Sequence, residues 1–426
     1  MFYIKLLQMR PKLNHIFIAM ALVFEISCNT KAEKETNRQE NIELDESSKR
    51  LPLWEEGYLD IHHINTGSGN STFFVLPDGT TMLFDAGSMD KEGFEKKYTP
   101  LKATSPVPDN SKPTWEWISN YIKQVAPRGH QDSIDYALVS HFHSDHYGSL
   151  AELGREIPFG KIIDRDSPSL SFPVDLATYL KDDEIFQDYM TFISEENVPT
   201  EALEVGSKSQ IHLKKDQAKY PSFSIRNIKT NATIWTGNEE ETRELFTAED
   251  ITSFYNGGYN ENPLSLAIKI SYGPFDYFTG GDNTGLQGYG LPPWFDVETP
   301  MAKVVGPVEV TTLNHHGNRD ATNAFFVETL DPQVVVQQLW CSDHPGQEVY
   351  QRLIYQDDET SSRHIFSTNM HPETLVTYGP WFKDNYKSLQ GHIVVRVAPN
   401  GSTYQVYILD ESTLKIKEEY GPYQSK

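Results

Sequence analysis

His141-Phe-His143-Ser-Asp145-His146, the run HFHSDH, places three histidines and an aspartate within six residues. His141 and His143 are two apart, so on an extended loop both side chains point the same way and can grip one cation. Asp145 and His146 follow at once and turn towards a second position. Residues 136–139 just before them are apolar and read as a buried strand that would hold the loop rigid. Metal binding explains this density better than a solvated His-rich loop does. Two imidazoles with a later carboxylate would make one site, and an aspartate, a histidine and the same carboxylate the other. Ions roughly 3.5–4 Å apart in such a pair let a hydroxide form near neutral pH and stabilise charge on a reacting centre.

Three further apolar strands end in polar clusters: 81–84 runs into Asp85-Ala86-Gly87, 276–279 into Gly280-Gly281-Asp282, and 308–313 into Asn314-His315-His316-Gly317. Active sites gather at such strand ends. The two glycines before Asp282 permit close backbone approach and aim its carboxylate outward as the shared ligand. Adjacent side chains on an extended backbone diverge, so one of the histidine pair is expected to ligate. His316 is the choice, which leaves His315 to contact substrate or donate a proton. A fifth segment, 334–336, leads to Cys341-Ser-Asp343-His344-Pro345, with Cys341 read as a small buried thiol.

Further from the cluster, 58–64 alternates like a strand, and 73–76 with 81–84 read as a hairpin about Pro77-Asp78-Gly79. Trp115, Ile118, Tyr121, Ile122 and Val125 have helical spacing, and Pro127 lies beyond as a stop. Strands are expected at 223–228, 232–235, 265–270 and 334–336, and a last hairpin joins 393–397 to 404–409. Gly67 and Gly69 lack the Lys-Ser/Thr of a phosphate loop and read as a tight turn near the metals. No internal repeat is visible.

Residues 1–28 read as an export signal of lipoprotein type, with Lys5, Arg10 and Lys12, an apolar run at 16–24, and Cys28 as the lipidated residue. Residues 29–52 have a flexible tether's composition, and 53–426 read as one domain. A chain 38% hydrophobic and 12% aromatic can bury a real core, which excludes global disorder. The net charge of -23 repels phosphate backbones and makes long nucleic acid an unfavourable partner. The chain is therefore expected at the periplasm or cell surface, held to a bacterial membrane through Cys28.

The order HINTGSGNSTFFVLPDGTTMLFDAG (63–87), HFHSDH, NPLSLAI (262–268), GGD, NHHG and DHP resembles the metallo-β-lactamase superfamily. Within it, the motifs are most similar to the hydrolase domain of ComEC-type DNA-uptake competence proteins and to secreted relatives such as a phosphorylcholine esterase. The resemblance covers roughly 53–409. It implies an α/β (α+β) fold, a four-layer αββα sandwich with a dinuclear site at one edge of its two sheets. Carried over by position, His141, His143, Asp145, His146, Asp282 and His316 would be metal ligands. Asp85 would brace a ligand, Asn262 and Ser265 would support the site, and His344 would contact substrate. The cofactors implied are two divalent metal ions, zinc before manganese.

In one respect the chain departs from many members, which carry a further histidine before the bridging aspartate. Here the only histidine in 147–314 is His212, in the polar context QIHLKK. The first metal would then be completed by water, His315, His344 or His392. The stretch 159–260, with its many aromatics, reads as an insertion. The implied function is a metal-dependent phosphodiesterase acting on a small or surface-polymer phosphodiester, with Asp145 orienting the nucleophile and His315 as proton donor. Alternatives are a β-lactam, thioester or carboxylic-ester hydrolase with the same ligands, and a lipid-anchored binding protein without catalysis.

Overall fold

Valine, isoleucine and aromatic runs dominate the strands, and most of them are buried on both faces. The computed structural model describes residues 50–355 and 363–426, so the signal, Cys28 and nearly all of the tether lie outside the described residues. Arg50–Lys426 form one compact unit.

The chain first lays down β1 (Leu59–His63), β2 (Ser71–Val75), β3 (Thr81–Ala86), β4 (Tyr136–Leu138), β5 (Ile162–Asp164) and β6 (Thr200–Ala202). A second sheet then takes β7 (Phe223–Thr230), β8 (Thr233–Trp235), β9 (Thr242–Glu244), β10 (Ala267–Tyr272), β11 (Phe275–Thr279), β12 (Val310–Thr312), β13 (Val334–Gln337), β14 (His364–Ser367) and β15 (Tyr386–Ser388). Finally β16 (His392–Val397), β17 (Thr403–Leu409) and β18 (Ile416–Gln424) return to the first sheet. The strand orders are β18-β17-β16-β1-β2-β3-β4-β5-β6 and β15-β14-β13-β12-β11-β10-β7-β8-β9. In each sheet antiparallel pairing gives way to parallel pairing, at β3–β4 and at β11–β12.

The two sheets face each other across a core that includes Phe74, Phe84 and Leu138 from one and Ile268, Tyr277 and Val336 from the other. Burying each such side chain contributes roughly 1.5–3 kcal/mol. Helices cover the outer faces. Thr114–Val125, Leu150–Glu156 and Glu184–Glu196 pack on the first sheet, while Glu298–Val305, Ala324–Leu330 and Gln347–Ile354 cover the second. Thr114–Val125 buries Ile118, Tyr121 and Ile122, the face its spacing predicts, and stops before Pro127. Together these layers make the expected αββα sandwich. Among the described residues, no helix is long and apolar enough to cross a membrane.

The strand expected at 58–64 forms as β1, and because helices cover one of its faces and the second sheet the other, every residue of Leu59–His63 is buried. Arg396 donates to Asp60 at 2.8 and 2.6 Å and His62 Nδ1 meets Tyr121 Oη at 2.9 Å, while His62 Nε2 stays buried without a hydrogen-bond partner, 3.8 Å from Asp60 Oδ2. The stretch 159–260 is woven into the sandwich, supplying β5 and β6 to one sheet and β7, β8 and β9 to the other. Phe186, Tyr189 and Phe192 pack under the first sheet's helices, and Tyr220 and Phe223 reach the core between the sheets.

Candidate metal centre

The loop after β4 is held by the ends of its neighbours. Asp85, at the end of β3 with φ +64°, accepts from Ser140 N at 2.7 Å and Ser140 Oγ at 2.8 Å. The same carboxylate pairs with His146 Nδ1 at 2.7 Å, which fixes that ring with Nε2 turned inward. Burial raises the Asp85 pKa, and the charge of His146 partly offsets this. On the other side the Asp145 carbonyl accepts from Asn70 N at 2.8 Å. A Cβ on Gly69 or Gly87 would lie 2.3 or 1.8 Å from that carbonyl oxygen. The glycines of GSGN and DAG are therefore needed for close approach to the His loop.

The β11 end contributes Asp282, whose backbone N–H donates to Ser265 Oγ at 3.1 Å. Its Oδ1 lies 3.1 Å from His146 Nε2, and its Oδ2 lies 3.8 Å from His141 Nε2 and 3.7 Å from His316 Nε2. Asp145 Oδ2 stands 3.0 Å from His316 Nε2. His141 Nε2 and His143 Nδ1 are 3.0 Å apart. These donors form two groups that share Asp282: Asp145, His146, Asp282 and His316 in one, His141, His143 and Asp282 in the other. Within each group the ligand atoms lie within 4.8 Å of one another.

Two of these atoms, His146 Nε2 and Asp282 Oδ1, are buried without a hydrogen-bond partner. Unpaired buried polar atoms are costly, and a shared cation would satisfy both. Imidazole and carboxylate donors suit zinc and neighbouring divalent transition metals. The residues present therefore fit two divalent cations.

The electrostatics agree with that polarity. Burial pushes the His141 and His143 pKa values down, which leaves neutral rings, the ligating form. Burial alone would also lower His146, but Asp282, Asp145 and Asp85 outweigh it and hold this ring well above the usual histidine range. For Asp145 and Asp282 burial favours the neutral acid, yet the surrounding histidines hold both below the usual carboxylate range.

His315 and His316 both sit in the left-handed region, at φ +45° and +55°, rather than on the extended backbone assumed for them. Their side chains still part. His316 Nδ1 donates to the Gln338 carbonyl at 2.9 Å and turns Nε2 to Asp145, whereas His315 Nδ1 meets Asp320 Oδ1 at 2.5 Å. Burial disfavours the His315 cation, but Asp320 and Asp282 outweigh it and raise its pKa to about 9. The Asn262 amide lies beside His315 Nε2, with Nδ2 3.2 Å away and Oδ1 without a partner, so only with the amide turned to present Oδ1 does it accept from the cationic ring. His344 stacks on His316, with centroids 4.8 Å apart. His212 stands outside, its Nδ1 on the Ser209 carbonyl, and His392 is likewise away from both groups, its Nδ1 accepting from Asn65 N.

Several residues that the sequence reading passed over complete the site. Trp340 Nε1 donates to Asp145 Oδ2 at 3.0 Å. Glu261 Oε2 accepts from the backbone N–H of Phe142, between His141 and His143, at 3.2 Å. Glu261 is in turn gripped by the fully buried Arg165 at 2.8 and 2.6 Å. Trp340 and Glu261 adjoin quoted motifs, which was a usable signal, whereas Arg165 lies in the stretch read as an insertion and carried none. A cavity of about 630 Å³ opens over the site, lined by His143, Asp145, Asp282 and His315 and by the aromatic Phe94, Tyr98 and Trp340.

The family model of the Metallo-beta-lactamase superfamily matches residues 64–207, the segment that carries HFHSDH. The two-sheet architecture agrees with it. The fold is the metallo-β-lactamase sandwich. A fold of this kind typically holds two divalent metals, and the paired groups about Asp282 are the candidate place for them.

Solved structures similar to this metallo-β-lactamase-fold chain include CmlA, a diiron β-hydroxylase from Streptomyces venezuelae (13% identity, 82% of this chain and 55% of that one, TM-score 0.38). Igni18, a metallo hydrolase from Ignicoccus hospitalis KIN4/I, is similar at 12% identity over 66% of this chain and 81% of its own, with TM-score 0.31. MEM-A1, a subclass B3 metallo-β-lactamase from a soil metagenome library, is similar at 11% identity over 62% and 78%, with TM-score 0.29. The chain spans 60% and 55% of the two CmlA chains it matches. No curated protein matches the sequence.

Proposed function

We propose that this chain is an exported metal-dependent hydrolase that cleaves phosphodiesters, on small molecules or on a surface polymer. The observation that carries the reading is the pair of donor groups sharing Asp282 at the floor of an open cavity, with His315 on its wall. His141, His143 and Asp282 would hold one divalent ion, and Asp145, His146, Asp282 and His316 the other. Bound there, the ions would supply Lewis acidity and a nucleophilic water near neutral pH.

The chain's own side chains do the rest. Asp145 is fixed by Trp340 and would orient the attacking water. His315, kept cationic by Asp320 and placed on the cavity wall, would stabilise charge on the phosphoryl oxygens and give its proton to the departing alkoxide.

Purified chain loaded with zinc or manganese is expected to hydrolyse bis-(p-nitrophenyl) phosphate, and Asp282→Ala is expected to abolish the turnover. No metal-dependent turnover on this substrate or on a panel of phosphate, carboxylic and thioester substrates would refute the hydrolase reading. Turnover confined to the carboxylic esters or thioesters would move it to another ester class.

Export and anchoring rest on the composition of residues 1–28 and on Cys28. Cys28→Ser is expected to release the protein from the membrane fraction. Equal membrane retention of the variant and the parent would count against a lipid anchor.

A further inference from the structure

We propose that Cys341, Asp343 and His344 form a third cation site on the cavity wall, apart from the two groups that share Asp282. The three side chains come from one turn after β13, and their ligand atoms lie within 4.8 Å of one another. The turn is closed by His344 N donating to the Cys341 carbonyl at 3.2 Å. It is also tied down from outside: Ser342 N donates to the Lys102 carbonyl at 2.8 Å, Lys102 N to Ser342 Oγ at 2.9 Å, and Thr374 Oγ1 to the Ser342 carbonyl at 2.9 Å. The donors are thus arranged in advance of any ligand, which lowers the entropy cost of binding one.

A second observation points to a ligand. His344 is 3% exposed, and its Nδ1 is buried without a hydrogen-bond partner. A buried ring nitrogen is normally satisfied. Among the described residues no lysine or arginine pairs with Asp343, whose ion-pair neighbour is His344 itself at 3.8 Å. The ring nitrogen facing Asp343 is Nε2, so a cation between Asp343 Oδ1 and His344 Nε2 would neutralise the carboxylate and give this edge of the buried ring a partner. Thiolate, imidazole and carboxylate in one set select zinc or cobalt(II) over magnesium or calcium. Binding would release the Cys341 thiol proton to solvent and change no oxidation state. All three residues line the cavity, so an open coordination position would face the space above the Asp282 pair.

Cobalt(II) titrated into the full chain tests this, because the Asp282 groups contain no sulfur. A Cys28→Ser background removes the only other thiol. The expected result is a thiolate-to-cobalt charge-transfer band in the near ultraviolet, together with one equivalent of cobalt more than the Asp282 pair takes up. Cys341→Ser is expected to lose the band and that one equivalent. Asp343→Asn, which keeps the thiol, is expected to keep the band but to weaken cobalt binding about tenfold or more. It gives the reading if Cys341→Ser fails to fold. Ligand-field absorption from the histidine and carboxylate groups with no charge-transfer band at saturation would overturn the third site and leave the pair standing. A band within a total of two equivalents would also overturn it, since the thiol would then be serving one member of the pair. No cobalt absorption at all would overturn both sites.

Discussion

Trp340 presents its indole N–H to Asp145 Oδ2, so Trp340→Phe keeps the ring's packing and removes one fixed contact to a donor atom. The affinity of the Asp145–His146–Asp282–His316 group is expected to fall roughly 10–100-fold, the usual effect of losing a contact that orients a ligand. Zinc competition against a chelating indicator measures it, and an unchanged affinity would show that Asp145 needs no such brace. Gly87→Ala acts on the same loop through its backbone. The added Cβ would stand 1.8 Å from the Asp145 carbonyl oxygen, and the strain is expected to cost roughly 1–3 kcal/mol in urea denaturation. Stability equal to the parent would mean that the loop can yield there. HFHSDH, GGD and NHHG were legible because short spacing of ligand-type residues has few structural explanations. The Trp340 contact to Asp145 was not legible, because it joins residues 195 positions apart and depends on how β13 ends beside the His loop.

The strands were readable where apolar runs met turn residues, as in β2, β3, β10 and β11. Within 159–260, β7 and β8 were readable too, whereas the three-residue strands β5, β6 and β9 are too short to carry a period-two signal of their own. That stretch brings in Arg165 at the end of β5. Arg165 is fully buried, grips Glu261, and donates from Nη1 to the Phe172 carbonyl at 2.8 Å and to Asn231 Oδ1 at 3.0 Å. It thereby ties β5, the β7–β8 turn and the His loop together. Arg165→Met strands the Glu261 carboxylate in the interior and is expected to cost about 3–5 kcal/mol. Adding Glu261→Leu is expected to recover part of that loss, leaving the Phe142 N–H without its acceptor. A double-mutant cycle in urea checks the coupling, and simple additivity of the two changes would contradict it.

For the whole molecule, the sheets bury histidines that must stay neutral. Burial lowers His62, His63 and His392 to about 3 from an ordinary value of 6.5. Between those limits the unfolded chain binds more protons than the folded one. This stabilising contribution is therefore complete above about pH 6.5 and is lost as the pH falls towards 3, by at most about 1.4 kcal/mol per pH unit for each ring. Glu298 opposes this trend. Burial raises it to about 7, so its contribution is greatest below its ordinary value of 4.5 and declines as the pH rises towards 7. His146 and His315, raised by their carboxylates, act in the same sense as Glu298, but burial also lowers His141, His143 and His344. The lowered histidines thus outnumber the opposing groups and predict net acid lability, read as a urea midpoint that falls between pH 7.5 and pH 5; a flat or rising midpoint would contradict it. The central claim is that one carboxylate, Asp282, serves two cation sites between two sheets, and bound zinc per chain tests it most directly. Asp282→Ala is expected to bind two equivalents fewer than the parent, whereas Asp145→Ala loses one and keeps the ion at His141 and His143. An Asp282→Ala chain that binds as much zinc as the parent, or only one equivalent less, would contradict the account.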